Sequence, residues 1–223
     1  MSRSRTKLTV DCRVPDSPPP ATADEVLLAA WSRGDRVAGE ELFERHFEAV
    51  ARFFRNKTDG PNDDLVQKTF LGCIESRDAF RGESSFRAFV FGVARNVLGK
   101  HWRAKARDRL EFDSGALSVC ELGASPSSVV ARDQQQLLVL NGLRRIPIDY
   151  QVALELHYWE SLTAAEIGAA LQIPVGTAKN RIRRAKQMLE AELRAMTQAH
   201  KGIDPTAQRL DTWARSLRES LFR

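Results

Sequence analysis

The feature that most constrains the fold is a helix-turn-helix pattern over residues 161–193. Thr163 followed by Glu166 has the spacing of a capping box, which opens a helix by satisfying its free backbone N–H groups. Pro174 ends the turn at residues 171–173, and a longer helix begins near residue 175. The apolar seam of that second helix consists of Ile182, Ala185, Leu189 and Leu193. The segment therefore predicts a short helix, a tight turn and a long second helix.

The remaining faces of the second helix are polar and basic. A helix fits the major groove of B-DNA, where Arg or Lys pairs with guanine and Asn pairs with adenine. The alternative is the solvated charged face of an ordinary bundle helix. The coincidence of two helices, a tight turn and a basic second helix favours DNA binding. The candidate DNA-binding residues are Thr177, Lys179, Asn180, Arg181, Arg183, Arg184 and Lys186.

Helical patterns also account for residues 24–107. Asp24 is expected to cap a first helix that ends at Gly34, and Asp35 to cap a second that runs through Phe54. A third helix opens at Pro61-Asn62, and Ser84 or Ser85 caps a fourth. Strand-like alternation is scarce throughout the sequence. We therefore predict an all-α fold of two small helical domains, namely a four-helix domain and a helix-turn-helix domain, joined by a flexible linker.

The fourth helix carries cations and no acid. Residues 84–107 contain Arg87, Arg95, Lys100, Arg103, Lys105 and Arg107. A balanced surface helix would carry both signs of charge, so this stripe points to phosphates. Trp102 has two interpretations that the sequence leaves equal: it stacks on an unpaired base, or it closes the core.

The segments outside these patterns set the expected domain boundaries. Residues 1–23 are expected to be a disordered arm, and residues 108–130, rich in Gly, Ser and Pro, a linker. Helical patterning resumes for a second domain over residues 131–197. The tail at 198–223 has one apolar stripe, formed by Leu210, Trp213, Leu217 and Leu221. That tail is either a docked helix or an autoinhibitory segment.

Composition limits the class of protein. The net charge of +5 is modest support for a polyanionic partner. Three scattered cysteines and four histidines lack ligand spacing, so no metal, cofactor or disulfide framework is expected. The sequence has no apolar run long enough for a membrane helix and no signal-peptide pattern. We therefore expect a cytoplasmic, nucleoid-associated protein without membrane contact.

The run IPIDYQVALELHYWESLTAAEIGAALQIPVGTAKNRIRRAKQML resembles region four of bacterial sigma factors, most closely the extracytoplasmic-function group. The resemblance implies contact between residues 176–186 and the minus-35 element of a promoter. It also implies core RNA polymerase as partner, through its β flap and β′ clamp helices, and an anti-sigma factor as a further partner. One departure is Gln172, which stands in the turn where relatives often carry glycine.

The third helix resembles region two of the same family, whose acidic-Leu-Val-Gln segment docks on the β′ clamp helices. Carried onto this sequence, the implied polymerase-binding residues are Asp63, Asp64, Leu65, Gln67, Lys68 and Phe70. Asp63 and Asp64 are also favoured at a helix N-terminus by the helix dipole alone. Lys68 departs from the acidic residue usual in the family.

The resemblance places minus-10 recognition on the loop at 78–84 and on the fourth helix. Extruding a base costs a few kcal/mol of stacking and pairing, which a pocket must return through hydrogen bonds and stacking. The implied minus-10 residues are Phe80, Arg81, Ser84, Arg87, Arg95, Asn96, Lys100, Trp102 and Arg103.

Two functions other than that of a sigma factor would explain parts of the sequence. A stand-alone helix-turn-helix regulator explains residues 161–193 but leaves the acid-free fourth helix without a purpose, and such regulators usually bind palindromes as dimers. A helical DNA-processing enzyme would need clustered carboxylates or histidines, and the acidic pair Asp63-Asp64 has no histidine beside it. We therefore expect a protein without catalytic activity of its own, with polymerase supplying the chemistry.

Overall fold

The computed structural model describes residues 21–77, 80, 84–105, 113, 115–122 and 134–198. Within these ranges the chain forms helices and one isolated β-bridge, between Ser118 and Pro147, but no strand. The all-α prediction is confirmed. The helices are α1 Ala21–Ser32, α2 Arg36–Arg55, α3 Asp63–Glu75, α4 Phe86–Lys105, α5 Gln134–Leu143, α6 Ile148–Tyr158, α7 Ala164–Leu171 and α8 Val175–Gln198.

Local signals set the helix starts in the N-terminal half, which we define as α1–α4. The Asp35 carboxylate accepts hydrogen bonds from the backbone N of Val37 at 3.0 Å and of Ala38 at 3.2 Å, which opens α2. Ser85 rather than Ser84 caps α4, because its hydroxyl accepts from the Ala88 backbone N at 3.2 Å.

The predicted cap at Asp24 is wrong. The first helix α1 begins at Ala21, so Asp24 lies within its first turn. There the carboxylate contacts Arg45 Nη1 at 3.3 Å and His46 Nε2 at 2.9 Å. A carboxylate in the first turn is favoured by the helix dipole wherever the cap lies, so composition alone did not fix the boundary.

Aromatic packing fills the N-terminal half. Trp31 lies edge-on to Phe43 at 5.3 Å and to Phe86 at 6.0 Å between ring centroids. Phe54 and Phe91 have no exposed surface at all. Gly39 of α2 faces the Trp31 ring so closely that any side chain there would collide with it. The large aromatic content of α2 and α4 is thus used for the core.

The C-terminal half, α5–α8, has a smaller core of its own. This core joins α5, α6 and the middle of α8, and its members are Val139, Leu140, Leu143, Ile146, Leu154, Trp159, Ala185, Leu189 and Leu193. The predicted seam of the second helix-turn-helix helix is confirmed, since three of its four residues lie here and Ile182 packs against it.

The two halves pack directly against each other. One continuous hydrophobic cluster contains Phe91, Ala94 and Leu98 of α4 together with Val152 and Ile167 of the C-terminal half. Helices α4 and α7 contact each other directly across this junction. A Cβ placed on Gly92 would lie 3.1 Å from the carbonyl oxygen of Ala170. Because glycine has no side chain, the backbones of α4 and α7 can cross closely at this point.

Part of the predicted flexible linker is packed into this junction. Val119 is fully buried, the Ile148 backbone N donates to the Leu117 carbonyl at 3.0 Å, and the Cys120 N donates to the Arg144 carbonyl at 2.9 Å. The slack tether expected over residues 108–130 is therefore anchored at 115–122. The apolar residues of this segment stand among Gly and Ser residues without helical or strand periodicity, so their packing could not be predicted from the sequence.

The last three residues of the arm predicted over 1–23 belong instead to α1. The rest of that arm, the remaining linker residues and the predicted tail from residue 199 onward lie outside the described residues. No helix in the part of the chain that the structure describes is long and apolar enough to cross a membrane.

Candidate nucleic-acid interface

The helix-turn-helix motif has the predicted local geometry. The Thr163 hydroxyl accepts from the Glu166 backbone N at 3.3 Å, and the Glu166 carboxylate accepts from the Thr163 backbone N at 2.9 Å. The predicted capping box at the start of α7 is therefore confirmed.

The turn between α7 and α8 depends on one left-handed residue. Gln172 has φ 55° and ψ 44°, a left-handed conformation that favours glycine. This conformation explains why a glycine is the usual residue at this position of the turn. The Ile173 backbone N donates to the Gly168 carbonyl at 2.9 Å, and a Cβ on Gly168 would lie at the same distance from the Ile173 carbonyl. The turn is therefore closed too tightly for a side chain at 168.

Helix α8 presents most of its candidate DNA-binding residues to solvent. The exposed ones are Thr177, Lys179, Asn180, Arg183 and Arg184, while Arg181 and Lys186 are half-buried. On the opposite face Ala178 and Ala185 are fully buried, and they fix the rotation of the helix. The geometry therefore provides an exposed polar and basic face in the first three turns of α8, as a groove-reading helix requires.

Arg181 forms an ion pair with a carboxylate of α6. Its guanidinium lies 3.1 Å from one carboxylate oxygen of Asp149, and Arg95 of α4 lies 3.5 Å from the other. Asp149 therefore contacts one candidate residue from each predicted DNA-binding helix.

Two further carboxylates of the C-terminal half pair with cations of the N-terminal half. Glu160 accepts from Arg52 at 3.0 Å and from Arg87 at 2.6 Å, and Glu155 pairs with the buried Lys57. The predicted minus-10 candidates Arg87 and Arg95 are thus held by acids of the other half.

Glu166 adds a hydrogen bond across the same junction. Its carboxylate accepts from the Ser85 hydroxyl at 2.6 Å. Burial raises the pKa of Glu166, but the hydrogen bonds from Ser85 and Thr163 outweigh it, so that the net pKa is lowered. Glu166 therefore stays ionised at neutral pH, where it serves the capping box and the junction at once.

The other minus-10 candidates on α4 divide into exposed and buried groups. Asn96, Lys100 and Arg103 are exposed. Trp102 is 1% exposed and lies under the Lys105 ammonium at 5.2 Å, so of its two interpretations the structure has the one that closes the core. A buried ring cannot stack on a base without leaving the bundle, which corrects its assignment to the DNA-binding set.

Phe80 and Ser84 are the described residues of the predicted base-capturing loop, and Phe80 packs against α4. The Phe80 ring packs against Phe89 at 4.7 Å between centroids, and Ser84 is half-buried. Arg81 lies outside the described residues.

The candidate polymerase-binding residues of α3 are also divided. Asp63, Asp64, Gln67 and Lys68 are exposed. In contrast, Leu65 is 8% exposed and faces the core, which corrects its expected role as a direct contact. Phe70 is half-buried and lies 5.0 Å from Phe43 between ring centroids.

The sequence interpretation missed an exposed apolar patch beside these residues. Phe47, Leu71 and Ile74 are 47%, 49% and 50% exposed, and the Phe47 ring lies parallel to Phe70 at 6.3 Å. The available signal was helical spacing, because Leu71 and Ile74 lie off the stripe of Val66, Thr69 and Cys73 that packs inward.

No group of three or more His, Cys, Asp and Glu side chains among the described residues is arranged to hold a metal ion. The chemistry that this arrangement offers is binding: exposed cations and amides for nucleic acid, and an apolar patch with acidic neighbours for protein.

Two family models match the chain. Sigma-70 region 2 matches residues 42–108, and Sigma-70 region 4 matches residues 136–189. Together the two segments span more than half of the chain.

Curated relatives agree with these matches. The chain is 27% identical over 184 residues to proteins described as ECF RNA polymerase sigma-E factor from Escherichia coli and Salmonella typhimurium, and the alignment covers 78% of this chain and 95% of each relative. It is 26% identical over 186 residues to the RNA polymerase sigma-H factor of Pseudomonas aeruginosa, with the same coverage.

Solved structures share the fold. CnrH, in complex with the cytosolic domain of CnrY, has a TM-score of 0.56 at 24% identity and is covered over 99% of its chain and 80% of this one. The sigma factor RpoE of Bartonella quintana, in complex with the anti-sigma factor NepR, has a TM-score of 0.53 at 22% identity, covering 96% of that chain and 70% of this one. With its two matched regions and its helical architecture, this chain belongs to the sigma-70 family and is a sigma factor of the extracytoplasmic-function group, which directs RNA polymerase to promoters.

Proposed function

We propose that α8 binds the minus-35 element through the exposed face that contains Thr177, Lys179, Asn180, Arg183 and Arg184, joined by Arg181 and Lys186 once they are free. The observation that carries this proposal is that face itself, exposed on a helix whose rotation is fixed by Ala178 and Ala185 on the buried side. Arg and Lys suit guanine edges and phosphates, and Asn suits adenine.

Core polymerase docks on α2 and α3. The surface combines Asp63, Asp64, Gln67 and Lys68 with the apolar patch of Phe47, Leu71 and Ile74. An apolar centre with a polar rim is the usual anatomy of a protein interface. The β′ clamp helices are the part of polymerase that binds this surface. The β flap binds the predicted second domain, residues 131–197.

Promoter melting belongs to the unit at residues 24–107. Asn96, Lys100 and Arg103 of α4 track phosphates of the exposed strand, and the loop at 78–84 holds an extruded base beside Phe80. The sigma factor itself makes and breaks no covalent bond, because polymerase supplies the catalysis. It acts where polymerase acts, in the cytoplasm and on the nucleoid.

An anti-sigma factor is a further partner in this proposal. Its support is that the two similar solved structures are described as complexes, one of them with an anti-sigma factor and the other with the cytosolic domain of CnrY.

Run-off transcription tests this function with the full chain, purified core polymerase and a randomised promoter library. The expected products share two sequence blocks, at minus-35 and minus-10. Selection of a palindrome that the chain binds without polymerase would instead favour a stand-alone regulator.

Two variants separate the surfaces. Arg183→Ala with Arg184→Ala is expected to lose the minus-35 preference while retaining core binding, and Arg194→Ala on the same helix serves as its control. Leu71→Ser with Ile74→Ser is expected to lose core binding while retaining the fold. Unchanged core affinity in that second variant would contradict the docking surface.

A further inference from the structure

One carboxylate joins the two helices to which DNA binding has been assigned. Asp149 lies in the first turn of α6, and its side chain is 11% exposed. One oxygen contacts Arg181 of α8 at 3.1 Å, and the other contacts Arg95 of α4 at 3.5 Å. The first pair lies within the C-terminal half, whereas the second crosses between the halves.

The Asp149 carboxylate partly neutralises both arginines, which makes their charge less available to a DNA phosphate. The side chains of Arg181 and Arg95 are 20% and 35% exposed, so both are partly withdrawn from solvent. Counterion release drives DNA binding only when cations are free to meet phosphates. The packed arrangement therefore removes one cation from each DNA-binding helix.

Other ion pairs across the junction place their charges on the same sides as the Asp149–Arg95 pair does. Acids of the C-terminal half face cations of the N-terminal half, because Glu160 holds Arg87 and Arg52, and Glu155 holds Lys57. Arg87 is a third DNA-binding candidate that is occupied in this way.

The close packing of the junction also depends on one glycine. Gly92 of α4 meets the backbone of α7, where a Cβ would lie 3.1 Å from the carbonyl oxygen of Ala170. A larger residue at this position must push the helices apart. Gly92 therefore offers a way to open the junction without changing any charge.

We propose that Asp149 is a latch shared by the two DNA-binding helices. In the packed chain it occupies Arg95 and Arg181 together, so that neither arginine offers its full charge to DNA. This inference rests on the proposed function of α4 and α8, and it adds that one carboxylate restrains an arginine of each helix in the packed chain.

The test measures binding of the full chain, without polymerase, to a short random-sequence DNA duplex by fluorescence anisotropy. Asp149→Asn removes the latch charge and keeps the side-chain shape, and Gly92→Leu separates the helices. Each ion pair at this degree of exposure is worth a small factor, so Asp149→Asn is expected to bind roughly three- to tenfold more tightly. Gly92→Leu is expected to bind more tightly as well.

The control for the charge change is Glu192→Gln, which removes the pair with Arg145 at 3.9 Å and is expected to bind as the wild type does. If Asp149→Asn and Glu192→Gln gain equally, the effect is net charge and the latch is overturned. It is also overturned if either Asp149→Asn or Gly92→Leu binds as the wild type does. Should Gly92→Leu not fold, Gly92→Ala takes its place with a smaller expected gain.

A cross-link provides the opposite perturbation. Ser85→Cys with Glu166→Cys, in a background of Cys12→Ser and Cys120→Ser, places two thiols at positions whose native side chains contact each other across the junction. Cys73 can stay, because burial raises its pKa to about 12 and keeps it unreactive. Closure by a short bismaleimide is expected to weaken DNA binding, and unchanged binding would overturn the latch. Run-off transcription of the same variants with core polymerase tests the proposed function separately, since a sigma factor without a latch still transcribes.

Discussion

Lys57 and Glu155 form an ion pair in which both side chains are buried and each comes from a different half of the chain. Lys57 follows the end of α2, and its ammonium also donates to the Phe53 carbonyl at 2.7 Å. Glu155 lies in α6 and accepts from Gln151 at 2.8 Å. Burial lowers the pKa of Lys57, against the attraction of Glu155. The pair therefore acts as a unit, because either member alone would be a buried charge without compensation.

Removing one member of this pair is expected to destabilise the chain strongly. Lys57→Met or Glu155→Leu alone should lower the free energy of unfolding by about 3–5 kcal/mol, because the partner stays buried and charged. The double variant should lose much less, since an apolar pair of similar volume replaces both charges. Urea denaturation measures the three values, and single losses that simply add in the double variant would contradict the pairing.

Gln172→Gly is expected to stabilise the helix-turn-helix. Gln172 sits at φ 55°, where a side chain costs free energy that glycine avoids, so a gain of about 0.5–1 kcal/mol is expected. The matched control is Gln187→Gly, exposed within α8, which should lose about 1 kcal/mol because glycine disfavours a helix interior. Thermal unfolding followed by circular dichroism compares the two, and a loss in both would mean that the turn is not strained.

Trp102 is expected to act through packing. Trp102→Ala should cost about 3–5 kcal/mol of stability, as other large-to-small core changes do. Trp102→Phe keeps most of the packing and should leave DNA melting intact. The exposed neighbour Arg103→Ala should show the reverse pattern, with unfolding free energy within about 0.5 kcal/mol of wild type and weaker DNA binding. A stable Trp102→Phe protein that fails to melt a promoter in a permanganate footprint would restore the base-stacking role.

Acid is expected to destabilise the N-terminal half through His46. Burial lowers the pKa of His46 below 6.5, and Arg87 lowers it further, while Asp24 and Glu160 oppose the shift. The unfolded chain therefore takes up a proton that the folded chain refuses as pH falls through 6.5, and stability is lost across that range.

The measurement is the urea midpoint at about pH 7.5 and at about pH 5.5, on either side of the ordinary histidine pKa. His46→Gln should flatten this dependence. Burial also lowers the pKa of His101, together with Lys105 and Lys68, so His101 retains part of the effect and the double His→Gln variant should be flattest. An equal slope in wild type and double variant would refute the assignment.

Local signals made much of the fold readable from the sequence. Side chains that contact their own backbone within three or four residues specify helix starts, which is why Asp35 and the Thr163–Glu166 box were placed correctly. The apolar seam of α8 follows from helical periodicity alone. The exposed basic face of α8 follows from the same periodicity, since what is not seam must face away.

The sequence could not decide which of two apolar faces would be buried when a helix carried both. Trp102 closes the core, Leu65 faces inward, and Phe47 with Leu71 and Ile74 stays outside. Each of these outcomes depends on where a neighbouring helix lies, and neighbour positions come from contacts distant in the chain.

What the sequence by itself determined was the all-α class, the helix-turn-helix, the basic α4 and α8 and the family resemblance, because all of these reside in residue type and short-range spacing. Only the tertiary structure decided that the halves meet across Gly92 and Ala170, that Val119 anchors the expected linker, and that Asp149 holds Arg95 and Arg181 together. Those contacts join residues tens of positions apart. Their free energy depends on close packing and on burial of paired charges, and spacing along a chain does not encode either one.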